Sequence, residues 1–448
     1  MNDLLAKYDR PVPRYTSYPT APNFRSDVGP ETYHRWLGEL DQSGDGSLYL
    51  HVPFCRELCW YCGCHTWVIS RKRAVEGFPD LLRAELALVA TAIPRRLRLK
   101  HIHWGGGTPT AIGADAVRNV SAHIRRVFDV AADAEIAMEI DPRVLDEAMI
   151  EALKEAGTTR ASLGVQDFDE IVQRAVNRVQ PYEMTARAVE HLRRAGIDAI
   201  NLDLMYGLPF QTVDSVVASV DLAVALAPDR LALFGYAHVP WMKRHQRLLD
   251  ERQLPDGAER WAQFSAATAR LRDHGYVWVG LDHFAKPDDA LASAMRRGAM
   301  RRNFQGHTTD TADILIGVGP SAIGSLPQGY VQNVADLGPW RRAIGDGTFA
   351  TCRGVALERD DRMRRHVIER IMCDLAVDLG EAAAAFEEPC TVFDSERIRL
   401  AALAADGLIE IDGNRVALTE EGRPLMRIVA SVFDRYFPAT ANRHARSV

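Results

Sequence analysis

A chain of 448 residues with 47% hydrophobic and 25% charged residues has the composition of an ordinary folded protein, which excludes disordered and collagen-like classes. Its 54 basic and 60 acidic residues leave a net charge of −6, no footprint for unselective nucleic-acid binding. The longest apolar runs, Leu86 to Ile93 and Leu222 to Ala227, fall well short of the ~20 residues of a bilayer crossing.

The start, MNDLLAKYDRPVPRYTS, lacks the apolar core of a secretory signal, so a cytoplasmic location is expected. Three units are expected: an N-terminal capping segment over 1–45, a barrel with an extension over 46–350 and a C-terminal unit over 351–448. From about residue 47 to 240 short apolar strands alternate with amphipathic stretches, the pattern of consecutive βα units around a parallel sheet. Six strands are predicted, at 47–53, 100–106, 135–141, 159–166, 198–206 and 230–237. Between them, Leu145, Ala148, Met149, Ala152, Leu153 and Ala156 form a helical stripe closed by Gly157. Val213, Val216, Val217, Val220, Val224 and Ala227 form a second, stopped by Pro228. A third, around Met184 to Ala195, ends at Gly196.

The strands alternate. Leu48, Leu50 and Val52 share one face and Tyr49 and His51 the other; Ile136, Met138 and Ile140 oppose Glu139 and Asp141; Ile200, Leu202 and Leu204 oppose Asn201 and Asp203. With period two, one face meets outer helices and the other lines a polar lumen, the mark of a wide barrel that holds a ligand. The fold class is therefore α/β, a partial TIM-type (β/α)6 barrel with extra strands. Beyond it a helix is predicted over 256–274 and a strand from Tyr276 to Phe284. Gly306 to Gly324 read as loops closing the barrel mouth. From about 360, helix, helix, a hairpin over Leu408 to Leu418 with Asp412-Gly413 at its turn, and a final helix suggest an α-helical, winged-helix-like C-terminal domain.

Of seven cysteines, four lie within ten residues, in Cys55-Arg-Glu-Leu-Cys-Trp-Tyr-Cys-Gly-Cys64. Cys352, Cys373 and Cys390 are scattered and read as small core residues. Cys55, Cys59 and Cys62 follow strand one directly, at the strand end where parallel barrels place their sites. Such thiols fit a four-cysteine zinc site that includes Cys64, or an iron–sulfur cluster held by three of them with one iron open.

The C-x3-C-x2-C spacing with Tyr61 before its last cysteine resembles the radical S-adenosylmethionine family. Pro13-Arg-Tyr-Thr-Ser-Tyr-Pro-Thr20, His51-Val-Pro-Phe-Cys55, Cys62-Gly-Cys64, His103-Trp-Gly-Gly-Gly-Thr-Pro-Thr110, Gly164-Val-Gln-Asp-Phe168, Val176-Asn-Arg178 and Asp203-Leu-Met-Tyr-Gly-Leu-Pro209 narrow it. Together they are similar to the oxygen-independent coproporphyrinogen III oxidase family, along nearly the whole chain. The resemblance implies oxidative decarboxylation of two propionates of coproporphyrinogen III to vinyl groups, giving protoporphyrinogen IX in haem biosynthesis. It implies a [4Fe-4S] cluster on Cys55, Cys59 and Cys62 and two molecules of S-adenosylmethionine. Tyr49, Gly106, Glu139 and Ile323 would line the cluster-bound molecule, with Tyr49 and Glu139 at the reacting centre. Tyr61, Gly107, Thr108, Gln166, Arg178, Asp203 and Ala237 would surround the second. Cys64 is no cluster ligand in the family pattern, and its role stays open. His51 and His103 read equally as core or site residues, and Arg14 as a partner for substrate carboxylates. A monomer is expected, reduced by a donor such as flavodoxin or ferredoxin, with no nucleic-acid or membrane partner. A haem chaperone and a haem-degrading methyltransferase of the same superfamily are the rival readings.

Overall fold

The computed structural model describes residues 4, 7–8, 10–41, 44–69 and 75–437. Six parallel strands, β1 (Gly46–Val52), β2 (Arg98–Gly106), β3 (Asp129–Ile140), β4 (Arg160–Gln166), β5 (Ala199–Tyr206) and β6 (Arg230–Gly235), lie side by side in chain order. Their apolar faces, with Leu48, Leu50, Met138, Leu163, Ile200 and Leu202 at most 1% exposed, pack beneath the connecting helices. Leu82, Leu86 and Val89, spaced i, i+4, i+7, form the buried stripe of helix Phe78–Ala92.

Local signals explain the helix ends. Asp146 accepts the Met149 amide at the start of Glu147–Ala156, and Gly157 takes the left-handed conformation (φ +77°) just past its end. Thr212 and Ser215 form a reciprocal cap on Val213–Ala225, as Asp256 and Glu259 do on Gly257–Asp273. In the first of these helices the buried set is Val216, Ser219, Val220 and Ala223, whereas Val213 is 37% exposed. The predicted stripe there is shifted, because its first member lies in the solvent-facing opening turn.

The sheet extends on both sides. The stretch predicted as one strand from Tyr276 to Phe284 is a hairpin, β7 (Val277–Val279) and β8 (His283–Ala285), with β8 antiparallel to β6. Gly280, at φ +57°, makes the turn. The stretch Gly306 to Gly324 is not a set of loops. It contains β9 (Ile314–Val318), buried throughout and parallel to β1, and β10 (Ile323–Leu326), which leads through β11 (Gly329–Asn333) to β12 (Thr351–Ala356). Its glycines mask an apolar run, Ile-Leu-Ile-Gly-Val, that is covered on both faces and so shows no alternation. The complete order is β12-β11-β10-β9-β1-β2-β3-β4-β5-β6-β8-β7, an open barrel-like sheet of twelve strands.

The C-terminal region has helices Arg359–Asp374 and Asp394–Ala405 and a three-stranded sheet formed by Ala376–Asp378, Ile409–Asp412 and Arg415–Leu418. Asp412 pairs with Arg415, so the turn residues are Gly413, at φ +58°, and Asn414, one place beyond the predicted turn. Val12, Tyr15 and Tyr18 are buried in the same apolar cluster as Ile368, Phe393 and Phe433. Of the scattered cysteines only Cys373 is buried; Cys352 is exposed and Cys390 partly so. Among the described residues no helix is long and apolar enough to cross a membrane.

Candidate active site

The cysteine loop leaves β1 and is clasped where Phe54–Cys55 pairs with Trp67–Val68. Neighbouring elements hold its backbone from two sides. Trp60 donates its amide to the Val176 carbonyl (2.9 Å), and the Asn177 amide donates to the Leu58 carbonyl (2.8 Å). Across the loop, Gln246 donates to the Tyr61 carbonyl (2.9 Å), Lys243 to that of Cys64 (2.8 Å), and the His245 ring meets that of Cys62 (2.7 Å). The Val176-Asn-Arg178 motif thus has a local task, which Arg178 completes by pointing Nη1 at Cys59 Sγ (3.5 Å).

The thiols sit among donors. Thr108 Oγ1 lies 3.6 Å from Cys55 Sγ and Arg143 Nη2 3.7 Å from Cys59 Sγ. A hydrogen bond from the Cys64 thiol pulls Cys62 down to about 6 against burial, with His245 and Lys243 adding to the effect, while burial pushes Cys55 up to about 11. Among the described residues no three His, Cys, Asp or Glu side chains converge on a point that could hold a single metal ion, so the zinc alternative has no tetrahedral set. All four cysteines instead share the wall of one cavity of about 520 Å³. Soft sulfur donors beside two guanidinium groups, which favour thiolate ligands, fit an iron–sulfur cluster held by Cys55, Cys59 and Cys62.

Across the cavity stand the polar faces of the strands. Register sets Tyr49 beside His103, Glu139 beside Ser162, and Ser162 beside Asn201. Glu139 accepts the Gly106 amide at Oε2 (3.1 Å) and meets His103 Nε2 at Oε1 (3.1 Å). A Cβ at Gly107 would lie 2.7 Å from the Phe54 carbonyl oxygen, so backbone requires glycine there; at Gly105 it would lie 2.6 Å from Glu139 Oε1 and would displace that carboxylate. Asn201 and Ser162 both hydrogen-bond Asp203, yet burial, reinforced by the charge of Glu139, pushes its carboxyl up to about 6. His51 is satisfied by Tyr49 Oη (3.0 Å) and the His65 carbonyl (3.1 Å), and burial lowers it to about 4.

Cys55, Cys59, Cys62, Tyr61, Gly106, Gly107, Thr108, Glu139, Gln166, Arg178, Asp203 and Ala237 all line this cavity. Tyr49 and Ile323 do not: Tyr49 lies behind it, stacked on His103 (5.8 Å), and Ile323 packs near Phe24 and Tyr330. Gln166 has φ +73°, rare for a side-chain-bearing residue, at a bulge that turns the end of β4. Sequence reasoning missed Arg143, Asp282 and Arg302 in the same wall. Asp141 is bridged by Arg143 (2.7 Å) and Arg178 (3.5 Å); burial opposes its ionisation, but these two cations hold it below the usual carboxylate range. The alternation that marked Glu139 and Asp141 could have pointed to such counter-ions; nothing local marks Asp282, in the turn between β7 and β8, or Arg302, in the short strand Arg301–Asn303.

Residues 49–223 match the radical SAM superfamily model and residues 357–425 the HemN C-terminal domain model. The chain is 50% identical over 448 residues to the oxygen-independent coproporphyrinogen III oxidase of Bradyrhizobium diazoefficiens, covering 100% of this chain and 99% of that one. It is 42% identical to the enzyme of that name from Paracoccus denitrificans, over 99% of this chain and 98% of that one. Among solved structures, coproporphyrinogen III oxidase (HemN) from Escherichia coli, described as a radical SAM enzyme, superposes with a TM-score of 0.91 at 37% identity, covering 94% of this chain and 97% of that one.

Proposed function

The chain belongs to the oxygen-independent coproporphyrinogen III oxidase family, and from that membership we infer that it is an oxidoreductase of haem biosynthesis. It decarboxylates two propionates of coproporphyrinogen III to vinyl groups, giving protoporphyrinogen IX, with a [4Fe-4S] cluster and S-adenosylmethionine. When bound, these groups supply a 5′-deoxyadenosyl radical that removes hydrogen from an unactivated C–H bond. The rival chaperone and methyltransferase readings are not favoured, because the relatives matched over the full length carry the oxidase name.

The observation that carries the reading of the site is the single cavity shared by the three cysteines, the Gly106–Thr108 turn and the carboxylates of Glu139 and Asp203. Cys55, Cys59 and Cys62 ligate the cluster. Glu139, its two oxygens oriented by the Gly106 amide and His103, accepts the amino group of the cluster-bound S-adenosylmethionine. Tyr49 stiffens that arrangement from behind through His51 and His103, and Gly106 completes the set, whereas Ile323, packed beside Phe24 and Tyr330, stands outside this cavity. Tyr61, Gly107, Thr108, Gln166, Arg178, Asp203 and Ala237 hold a second molecule, Arg178 offering its guanidinium to a carboxylate and Asp203 accepting from ribose hydroxyls. The described residues of 1–45 cap the barrel of 46–350, whose sheet also takes in β12 (Thr351–Ala356) as its edge strand, and the C-terminal unit begins after that strand. The protein works as a cytoplasmic monomer reduced by flavodoxin or ferredoxin.

The test is anaerobic assay of reconstituted protein with coproporphyrinogen III, S-adenosylmethionine and a reductant. Mass analysis should find a product short of two carboxyl groups; an unchanged porphyrinogen alongside a fully loaded cluster would refute the assignment.

A further inference from the structure

A second cavity, also of about 520 Å³, adjoins the first and is absorbed by nothing described so far. It lies beyond the ends of β5 and β6, between helix Gly257–Asp273 and the segment around Pro424 and Arg427, with the N-terminal Arg14 on one side. The two cavities share Arg14, Gly235, Tyr236, Ala237 and Asp282, so a ligand too large for either can span both along a common wall.

The second cavity is cationic. Arg14, Arg260 and Arg427 all face it, against one carboxylate, Asp282. That carboxylate is already held by His283 (2.7 Å) and Arg14 (3.1 Å). Arg427 donates to the Val12 carbonyl (3.2 Å), and burial together with the charge of Arg14 pushes it down to about 10, the mark of positive charges crowded in a dry place. Arg260 makes no ion pair among the described residues; it lies over the Tyr206 ring (5.6 Å). Its position is built into the backbone. Gly207, at φ +84°, is where any Cβ would strike the Arg260 guanidinium, and a Cβ on Gly235 would lie 3.2 Å from Arg260 Nη2. The glycine of the Asp203-Leu-Met-Tyr-Gly-Leu-Pro209 motif therefore leaves room for this cation, which has no anionic partner among the described residues. Trp261 and Phe264 supply apolar walls, and Trp241, 66% exposed, stands at the mouth.

Resting on the function proposed above, we propose that this second cavity seats the porphyrinogen macrocycle, with Arg260 and Arg427 binding carboxylates of propionates that are not reacting. The reacting propionate then passes the shared wall at Gly235 and Ala237 into the first cavity. A tetracarboxylate with four pyrrole faces matches a site that combines forked cations with aromatic rings. The small residues of the shared wall leave the passage open.

The test is equilibrium binding of coproporphyrinogen III to the reconstituted holoenzyme, by anaerobic ultrafiltration with S-adenosylmethionine present and reductant omitted, after matching cluster content by absorbance. Arg260→Gln should raise Kd about tenfold to a hundredfold, the range for losing a hydrogen bond to a charged group. Arg260→Lys should recover part of that loss, and Trp241→Ala, at an exposed position that does not threaten folding, should raise Kd several-fold. The tetramethyl ester of the substrate should bind the unmodified protein weakly and ignore Arg260→Gln. Wild-type Kd in both the Arg260→Gln and Trp241→Ala proteins, or an equal loss for acid and ester, would overturn the assignment of this cavity. Those results would leave the proposed reaction intact if the unmodified enzyme still forms protoporphyrinogen IX; a holoenzyme that neither binds nor converts coproporphyrinogen III would instead refute the reaction itself.

Discussion

At the scale of single residues, the four clustered cysteines divide by what surrounds each sulfur. Thr108, Arg143 and Arg178 direct donors at Cys55 and Cys59, and Cys64 directs its own at Cys62. Replacing Cys55, Cys59 or Cys62 by Ala is expected to abolish the brown cluster absorbance and all activity. Cys64→Ser keeps a donor beside Cys62 and should retain the cluster; anaerobic absorbance and iron content decide between these outcomes. Asp203 carries a pH signature. Its carboxyl, raised to about 6, is neutral below that value and a hydroxyl acceptor above it, so use of S-adenosylmethionine should weaken as pH falls through 6. Because the folded carboxyl holds its proton more tightly than the unfolded one, its contribution to stability falls as pH rises from its ordinary 3.8 to about 6 and is level above that. Asp203→Asn should flatten the dependence of apparent S-adenosylmethionine affinity on pH, measured on either side of 6.

At the scale of elements, the six strands were legible because short apolar runs recur between amphipathic stretches; β1, β3 and β5 alternate, and helices that end before Gly157 or Gly196 carry a terminal signal. β9 was not legible. Ile316 is wholly buried beside β1, and a strand covered on both faces gives the same short apolar run as many loops between glycines. The strand that carries the cysteine loop is thus flanked by β9 on one side and β2 on the other. Ile316→Ala should cost about 2–5 kcal/mol, the range for truncating a buried aliphatic side chain, read as a lower midpoint in denaturant. The bulge at the end of β4, which turns Gln166 into the cavity, also lies beyond sequence patterns, because period-two reading assumes unbroken pairing.

At the scale of the whole molecule, contacts between distant segments decide how the site is enclosed. Buried Glu85 accepts from the Gly319 amide (2.8 Å), the Asn333 side-chain amide (2.6 Å) and the Trp340 indole (3.0 Å), joining the first barrel helix to the end of β9, to β11 and to helix Leu337–Gly345. Burial pushes its carboxyl up to about 7 although all three donors oppose the shift. The native state therefore keeps a proton that the unfolded chain releases above its ordinary value of 4.5, and stability should fall as pH rises from there to about 7 and then level off. Glu85→Ala should cost about 3 kcal/mol or more, since three buried donors lose their acceptor, and should remove this slope; denaturant unfolding at several pH values measures both. Tyr15, from the N-terminal segment, donates to Asp434 near the other end of the chain (3.1 Å), and this packing brings Arg14 against both cavities.

The sequence by itself determined the cysteine spacing, the six parallel strands and, from the alternation of three of them, the polar face on which Glu139 and Asp203 stand, because these are local patterns that a parallel sheet converts directly into a wall. Only the tertiary structure decided that Arg14, Arg260 and Arg427 meet in one cavity beside that wall, and that Tyr49 and Ile323 stay out of the first. Those three arginines come from separate parts of the chain, and no periodicity relates residues whose proximity arises from the packing of separate elements.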